Sequence, residues 1–97
     1  MAEVGLDKRL LGAYVKAYRT YAGFKNVSEF SAAIADLTGI DIDGQTIYRI
    51  EVGKNPPKLE TIMAIGRTLA LCDMPVSLFD DIERCMTYKE EPCQSIE

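Results

Sequence analysis

Histidine is absent from this chain of 97 residues. Its absence removes the commonest general base, the Ser-His and Cys-His nucleophile pairs and most transition-metal sites. Catalysis is therefore not expected, and neither is a cofactor or a bound metal. Cysteine is sparse: Cys72, Cys85 and Cys93 are odd in number, widely spaced and confined to the C-terminal third. That pattern supplies neither a disulfide framework nor a paired CxxC for zinc, so the thiols read as core fillers before redox sensors. Long apolar runs are missing too. No stretch approaches the roughly 20 residues of a membrane span, and the opening MAEVGLDKRL lacks the basic-then-apolar order of a signal peptide. A cytoplasmic protein with no membrane partner is the expectation.

Hydrophobic residues make up 47% of the chain, enough for one domain with one modest core. The formal net charge is -4, which at first argues against a polyanionic partner. The charge is segregated, however. Residues 6–67 hold nine Lys/Arg against seven Asp/Glu, a surplus of +2, whereas residues 68–97 hold two against seven, a deficit of -5, and Glu3 completes the total. A mildly basic body precedes an acidic C-terminal third.

Apolar spacing of three and four recurs along nearly the whole chain, and no alternating run is long enough to indicate a strand. The expected fold is all-α and compact, with five helices over about 7–22, 28–38, 44–52, 57–71 and 76–87 in one domain spanning 1–88, followed by a flexible acidic tail over 89–97. Asp7 caps the first helix, whose stripe is Leu10, Leu11, Tyr14, Val15, Tyr18 and Tyr21, and Gly23 stops it. Ser28 opens the second, with Phe30, Ala33, Ile34 and Leu37 inward. Asp43 caps a short third helix anchored by Ile47 and Ile50, and Gly53 ends it. Pro57 suits the first turn of a fourth, with Leu59, Ile62, Met63, Ile65 and Leu69 as its stripe. Ser77 and Asp80, at capping-box distance, start a fifth that carries Leu78, Phe79, Ile82 and Met86.

At QTIYRIEVGKNPPKLETI the pattern becomes specific. Ile50-Glu51, Gly53-Lys54, Pro57 and the apolar Leu59 to Ile62 segment follow one another in an order that resembles the Cro and lambda-repressor-like helix-turn-helix family. YRTYAG is similar to that family's first-helix Arg four residues before a Gly, and LALCDMPVSLFDDIE to its closing helix with a short insertion. The resemblance runs from about Leu6 to Phe79. It departs at ADLTGIDID, where the chain between Phe30 and Glu51 is about six residues longer than the family spacing, so helix two or the turn after it must be extended.

What the resemblance implies is a DNA-binding transcriptional regulator, a repressor by preference, that places its third helix in the major groove. Gly44, Gln45 and Arg49 then occupy base-reading positions, flanked by Thr46 and Tyr48. The residue chemistry agrees: Gln45 and Arg49 are four apart on one helix face, and amide and guanidinium groups can make paired hydrogen bonds to base edges. Gln prefers adenine and Arg prefers guanine. Phosphate contacts fall to Lys54, Asn55 and Lys58 after the third helix and to backbone N-H groups near Ser28 at the positive end of the second. Arg19 and Glu51, by resemblance, form an ion pair bracing the first helix against the third.

The expected partners are double-stranded DNA and a second copy of the chain, because one short helix reads too few base pairs to be selective alone. The Leu78, Phe79, Ile82 and Met86 stripe serves either as that dimer surface or as a lid on the core. A different class of function is also open: a protein-interaction module, such as an antitoxin or anti-repressor, whose acidic C-terminal third contacts a protein partner. Asp80, Asp81 and Glu83 read as a solvated acidic face, since adjacent helical carboxylates point apart and no oxygen-ligand loop accompanies them.

Overall fold

The computed structural model describes residues 5–75 and 77–87. Within them the chain is compact and mostly helical, in the order β1 (Gly5–Leu6), α1 (Lys8–Tyr21), α2 (Val27–Thr38), α3 (Gly44–Glu51), α4 (Leu59–Leu71), α5 (Leu78–Cys85) and β2 (Met86–Thr87). The expected tail over 89–97 lies outside the described residues.

α1 organises the packing. Asp7 accepts a hydrogen bond from the Leu10 N-H at 3.1 Å and so starts the helix, and Leu11, Val15 and Arg19, spaced by four, form its buried edge. Tyr21, expected on that stripe, is 86% exposed, and Leu10 is also exposed. Gly12 lies where α1 crosses α3. A methyl group there would fall 2.5 Å from the Glu51 carbonyl oxygen and closer still to that of Ile50, so the two backbones meet with no side chain between them. Gly in a helix interior costs about 1 kcal/mol relative to Ala, and this contact is what offsets the cost. Gly53, just beyond α3, has φ +79° and packs against the Arg9 backbone, a position closed to other residues on both counts.

The cap of α2 lies two residues earlier than Ser28. Asn26 is the cap, accepting from the Glu29 N-H at 2.9 Å, while the Glu29 carboxylate reaches back to the Lys25 N-H at 2.9 Å. Phe30 and Ile34 are fully buried, Ala33 is half-buried and Leu37 is exposed. In α4 the expected start at Pro57 gives way to Leu59, with Lys58 as cap. Its stripe also rotates: Leu59 and Met63 are 70% and 52% exposed, and the buried face is Thr61, Ile62, Ala64, Ile65, Thr68 and Leu69. The helix is apolar on more than one side, so spacing alone did not decide its phase. The Thr68 hydroxyl is satisfied by the Ala64 carbonyl at 2.8 Å, which allows a polar residue in the core.

α5 ends at Cys85, not at 87, because Met86 and Thr87 leave the helix to pair antiparallel with β1, Leu6 opposite Met86 and Gly5 opposite Thr87. The Asp7 N-H donates to the Cys85 carbonyl at 2.7 Å beside this pairing. The clasp ties the start of α1 to the end of α5. A two-residue strand has no alternation to read, which is why it escapes a search for periodicity.

The α5 stripe does not form a common outer surface. Leu78 is 3% exposed and belongs to the core, Ile82 packs against the core and Met86 sits half-buried in β2; Phe79 alone of the four is exposed. Nor are the acidic residues uniformly solvated. Asp81 is 2% exposed and accepts hydrogen bonds from the Tyr18 hydroxyl and, at 2.9 Å, from the Arg84 guanidinium. Among the described residues no helix is long and apolar enough to cross a membrane, and no group of three or more His, Cys, Asp or Glu is arranged to hold a metal.

Candidate nucleic-acid interface

α3 has eight residues and two unlike sides. Ile47 and Ile50 are buried at 0% and 2% exposure, and Glu51 turns back toward α1. There its carboxylate takes two hydrogen bonds from Arg19, from Nε at 2.7 Å and from Nη2 at 3.2 Å, while Arg19 Nη1 donates to the Phe24 carbonyl at 2.9 Å. With side-chain exposures of 8% and 3%, this is a dry, two-point brace, and it fixes the roll of α3 about its own axis. Gln45, Tyr48 and Arg49 consequently face outward.

The path of the chain between α2 and α3 leaves the two helix N-termini together. α2 is 12 residues long, a rise of about 17 Å. Gly39, in the left-handed region at φ +77°, turns the chain, and residues 40–43 then run back beside α2. Ile42 is buried at 7% exposure, and the Ser31 hydroxyl donates to its carbonyl, so the returning connector is fastened midway along α2. Gly44, the first residue of α3, arrives against Val27 and Ser28 at the start of α2: a Cβ there would be 3.3 Å from Val27 Cγ2 and 3.6 Å from the Ser28 nitrogen. Asp43 caps α3 by accepting from the Thr46 N-H at 2.9 Å. That N-H holds the Asp43 carboxyl below the usual carboxylate range, and the charge of Arg49 adds to the effect.

Two clefts flank the outer side of α3. One, of about 750 Å³, is lined by Val27, Ser28, Asp43, Gly44, Gln45, Tyr48, Arg49, Val52 and Lys54. The other, of about 830 Å³, lies toward the α3–α4 loop and includes Asp41, Asp43, Thr46, Arg49, Asn55, Lys58 and Glu60. Asp43 and Arg49 border both. The expected site residues therefore divide: Ser28, Gln45, Tyr48, Arg49 and Lys54 share one surface, while Thr46, Asn55 and Lys58 line the other. Thr46 is half-buried, with its N-H engaged by Asp43.

The two clefts differ electrostatically. The first carries Arg49 and Lys54 against Asp43 alone; the second sets Arg49 and Lys58 against Asp41, Asp43 and Glu60. An anion is attracted more strongly beside Lys54 than beside Lys58. Spacing could not show this, because Asp41 reaches the site only through the folded-back connector. Gly44 against α2 and Gly12 against α3 are likewise contacts between distant segments; the one sequence signal for the latter is a glycine in mid-helix beside the buried Leu11.

The chain matches no family model, no curated protein and no solved structure.

Proposed function

We propose that this protein is a sequence-specific DNA-binding regulator of transcription, a repressor of the lambda-repressor-like helix-turn-helix kind, with α3 lying in the major groove. One observation carries the proposal: the N-terminus of α3 abuts that of α2, at Gly44 against Val27 and Ser28, with Gln45, Tyr48, Arg49 and Lys54 around a single open cleft. Side chains at the N-terminal end of a groove-bound helix meet base edges, and a second helix end beside it offers N-H groups and a positive dipole to the phosphate backbone. The brace through Arg19 and Glu51 supports the reading from behind, since a reading helix must keep its roll fixed.

In this proposal the chemistry is binding only, with no cofactor, and repression follows from occupying an operator. Two copies act on one site, because eight helical residues reach too few base pairs for selectivity. Phe79 is the one residue of the α5 stripe left exposed for a contact between copies.

The test is selection of duplexes from a random or genomic pool, followed by titration. A defined half-site repeated with two-fold symmetry is expected, with Gln45→Ala and Arg49→Ala each weakening it while leaving helicity intact. Affinity should fall with salt, each neutralised phosphate contributing a slope of about -0.9 in log-log form. The competing function, a protein-interaction module, rests on the -5 charge of residues 68–97. A tagged chain that enriches no duplex and retains a stoichiometric protein partner would replace the DNA proposal with that one.

A further inference from the structure

Resting on the DNA-binding proposal, a sharper statement about which bases are read follows from one contact on the outer side of α3. Arg49 Nη2 donates a hydrogen bond to Gln45 Oε1 at 3.1 Å, across one helical turn. Arginine has no acceptor, so only the oxygen of the Gln45 amide can face it; the reverse placement would oppose two donors. The Gln45 oxygen is thereby turned along the helix toward Arg49, and the surface left on this side is mainly donor: the amide NH2 and the other guanidinium N-H groups, with one lone pair of the shared oxygen.

We propose that Gln45 and Arg49 act as one coupled reading unit rather than as two independent readers, with Gln45 presenting its amide NH2 first and so favouring guanine or thymine over adenine. The major-groove edge of guanine offers N7 and O6 and that of thymine offers O4, all acceptors. Adenine presents N7 beside an N6 amino group, and its paired contact with glutamine draws on the amide oxygen that already carries the Arg49 bond and has one lone pair left. Cytosine presents an amino donor, and the pair's one acceptor for it is that same shared oxygen. Asp43 borders the same cleft and lies close enough to Arg49 for their charges to interact, which favours a guanidinium held over the N-terminal half of α3. The usual correspondence of glutamine with adenine is therefore reversed by a neighbour one turn away.

Site selection with the wild type, Gln45→Ala and Arg49→Ala decides the matter. The base pair whose information disappears in Gln45→Ala is the one Gln45 reads. In the wild type it should be guanine or thymine, with adenine there weakening binding about 5- to 150-fold. Arg49→Ala should do more than erase guanine at its own position: with its oxygen freed, Gln45 should switch to adenine. Both side chains are exposed, so neither change threatens the fold, and running the selection at low salt keeps the weakened variant within range. Adenine at the Gln45 position in the wild type, or no change there on removing Arg49, overturns the coupled unit while leaving DNA binding intact. A motif indifferent to both substitutions overturns the assignment of α3 as reader. Failure of the wild type to enrich any duplex overturns the DNA proposal and this inference with it.

Discussion

Tyr18 and Arg19 are neighbours on α1, and each holds a buried carboxylate from a different helix. Arg19 grips Glu51 of α3 through two hydrogen bonds, with both side chains almost wholly out of water. Tyr18 donates its hydroxyl to Asp81 of α5, whose other partner, Arg84, is 65% exposed. The first carboxylate depends on one buried cation, so its loss strands a full charge; the second is shared between a neutral phenol and a cation that can turn to solvent. α1 thus fastens α3 rigidly and α5 more loosely. Removing one partner of a buried pair costs far more than removing one hydrogen bond, because the orphaned ion cannot be rehydrated in place.

Glu51→Ala is the severest way to probe this contrast. It should destabilise the fold by about 3 to 5 kcal/mol, read as a shifted urea midpoint, and weaken DNA binding through the loss of α3 roll. Replacing Arg19 and Glu51 together by apolar residues should recover much of the stability. If Glu51→Ala melts with the wild type, α3 is held by Ile47 and Ile50 alone. Gly12→Ala comes next, at about 1 to 3 kcal/mol of overpacking. Its sign is the informative part, since the same change in an uncrowded helix stabilises by about 1 kcal/mol. Asp81→Ala should cost about 1 to 3 kcal/mol, chiefly by leaving the Tyr18 hydroxyl without its acceptor, and should spare DNA affinity.

A smaller effect is expected from pH. Burial first, and then the bond to Asp81, push the Tyr18 phenol from 10.0 up to about 12. Between those values the unfolded chain releases the proton while the folded chain keeps it, so this contribution is complete below pH 10.0 and disappears as pH rises toward 12. Denaturation midpoints at pH 9 and 11.5 should converge between wild type and Tyr18→Phe; a constant gap would mean that the hydroxyl is solvated. The smallest change in stability is expected at Lys54→Ala, within about 0.5 kcal/mol of wild type. In a dimer it should nevertheless flatten the salt slope by about two units, and by more than Lys58→Ala does.

Much of the frame was legible. Asp7, Asp43 and Ser77 stand as helix caps where polar residues precede apolar spacing, and Ile47 and Ile50 anchor α3 as their separation requires. Ser28 was displaced by Asn26 because both residues can cap, and the nearby Glu29, which completes the exchange with Lys25, decided between them. The phase of α4 was hidden by apolar residues on several sides. Asp81 was hidden differently. Its neighbours Asp80 and Glu83 are exposed, and nothing in DDIE marks the one carboxylate that Tyr18, 63 positions away, would draw inward.

By itself the sequence determined that the chain is helical, that α3 has an apolar side and a polar one, and that Arg49 and Gln45 fall on the same side, because these follow from spacing within one element. Only the tertiary structure decided that α2 and its returning connector bring Gly44 beside Ser28, that Asp41 weakens the cleft beside Lys58, and that Gly12 lets α1 touch α3. Those contacts join residues far apart in the chain, and their geometry depends on how every intervening segment packs. Local spacing carries no information about such distances, whereas close packing of the interior leaves little freedom in them.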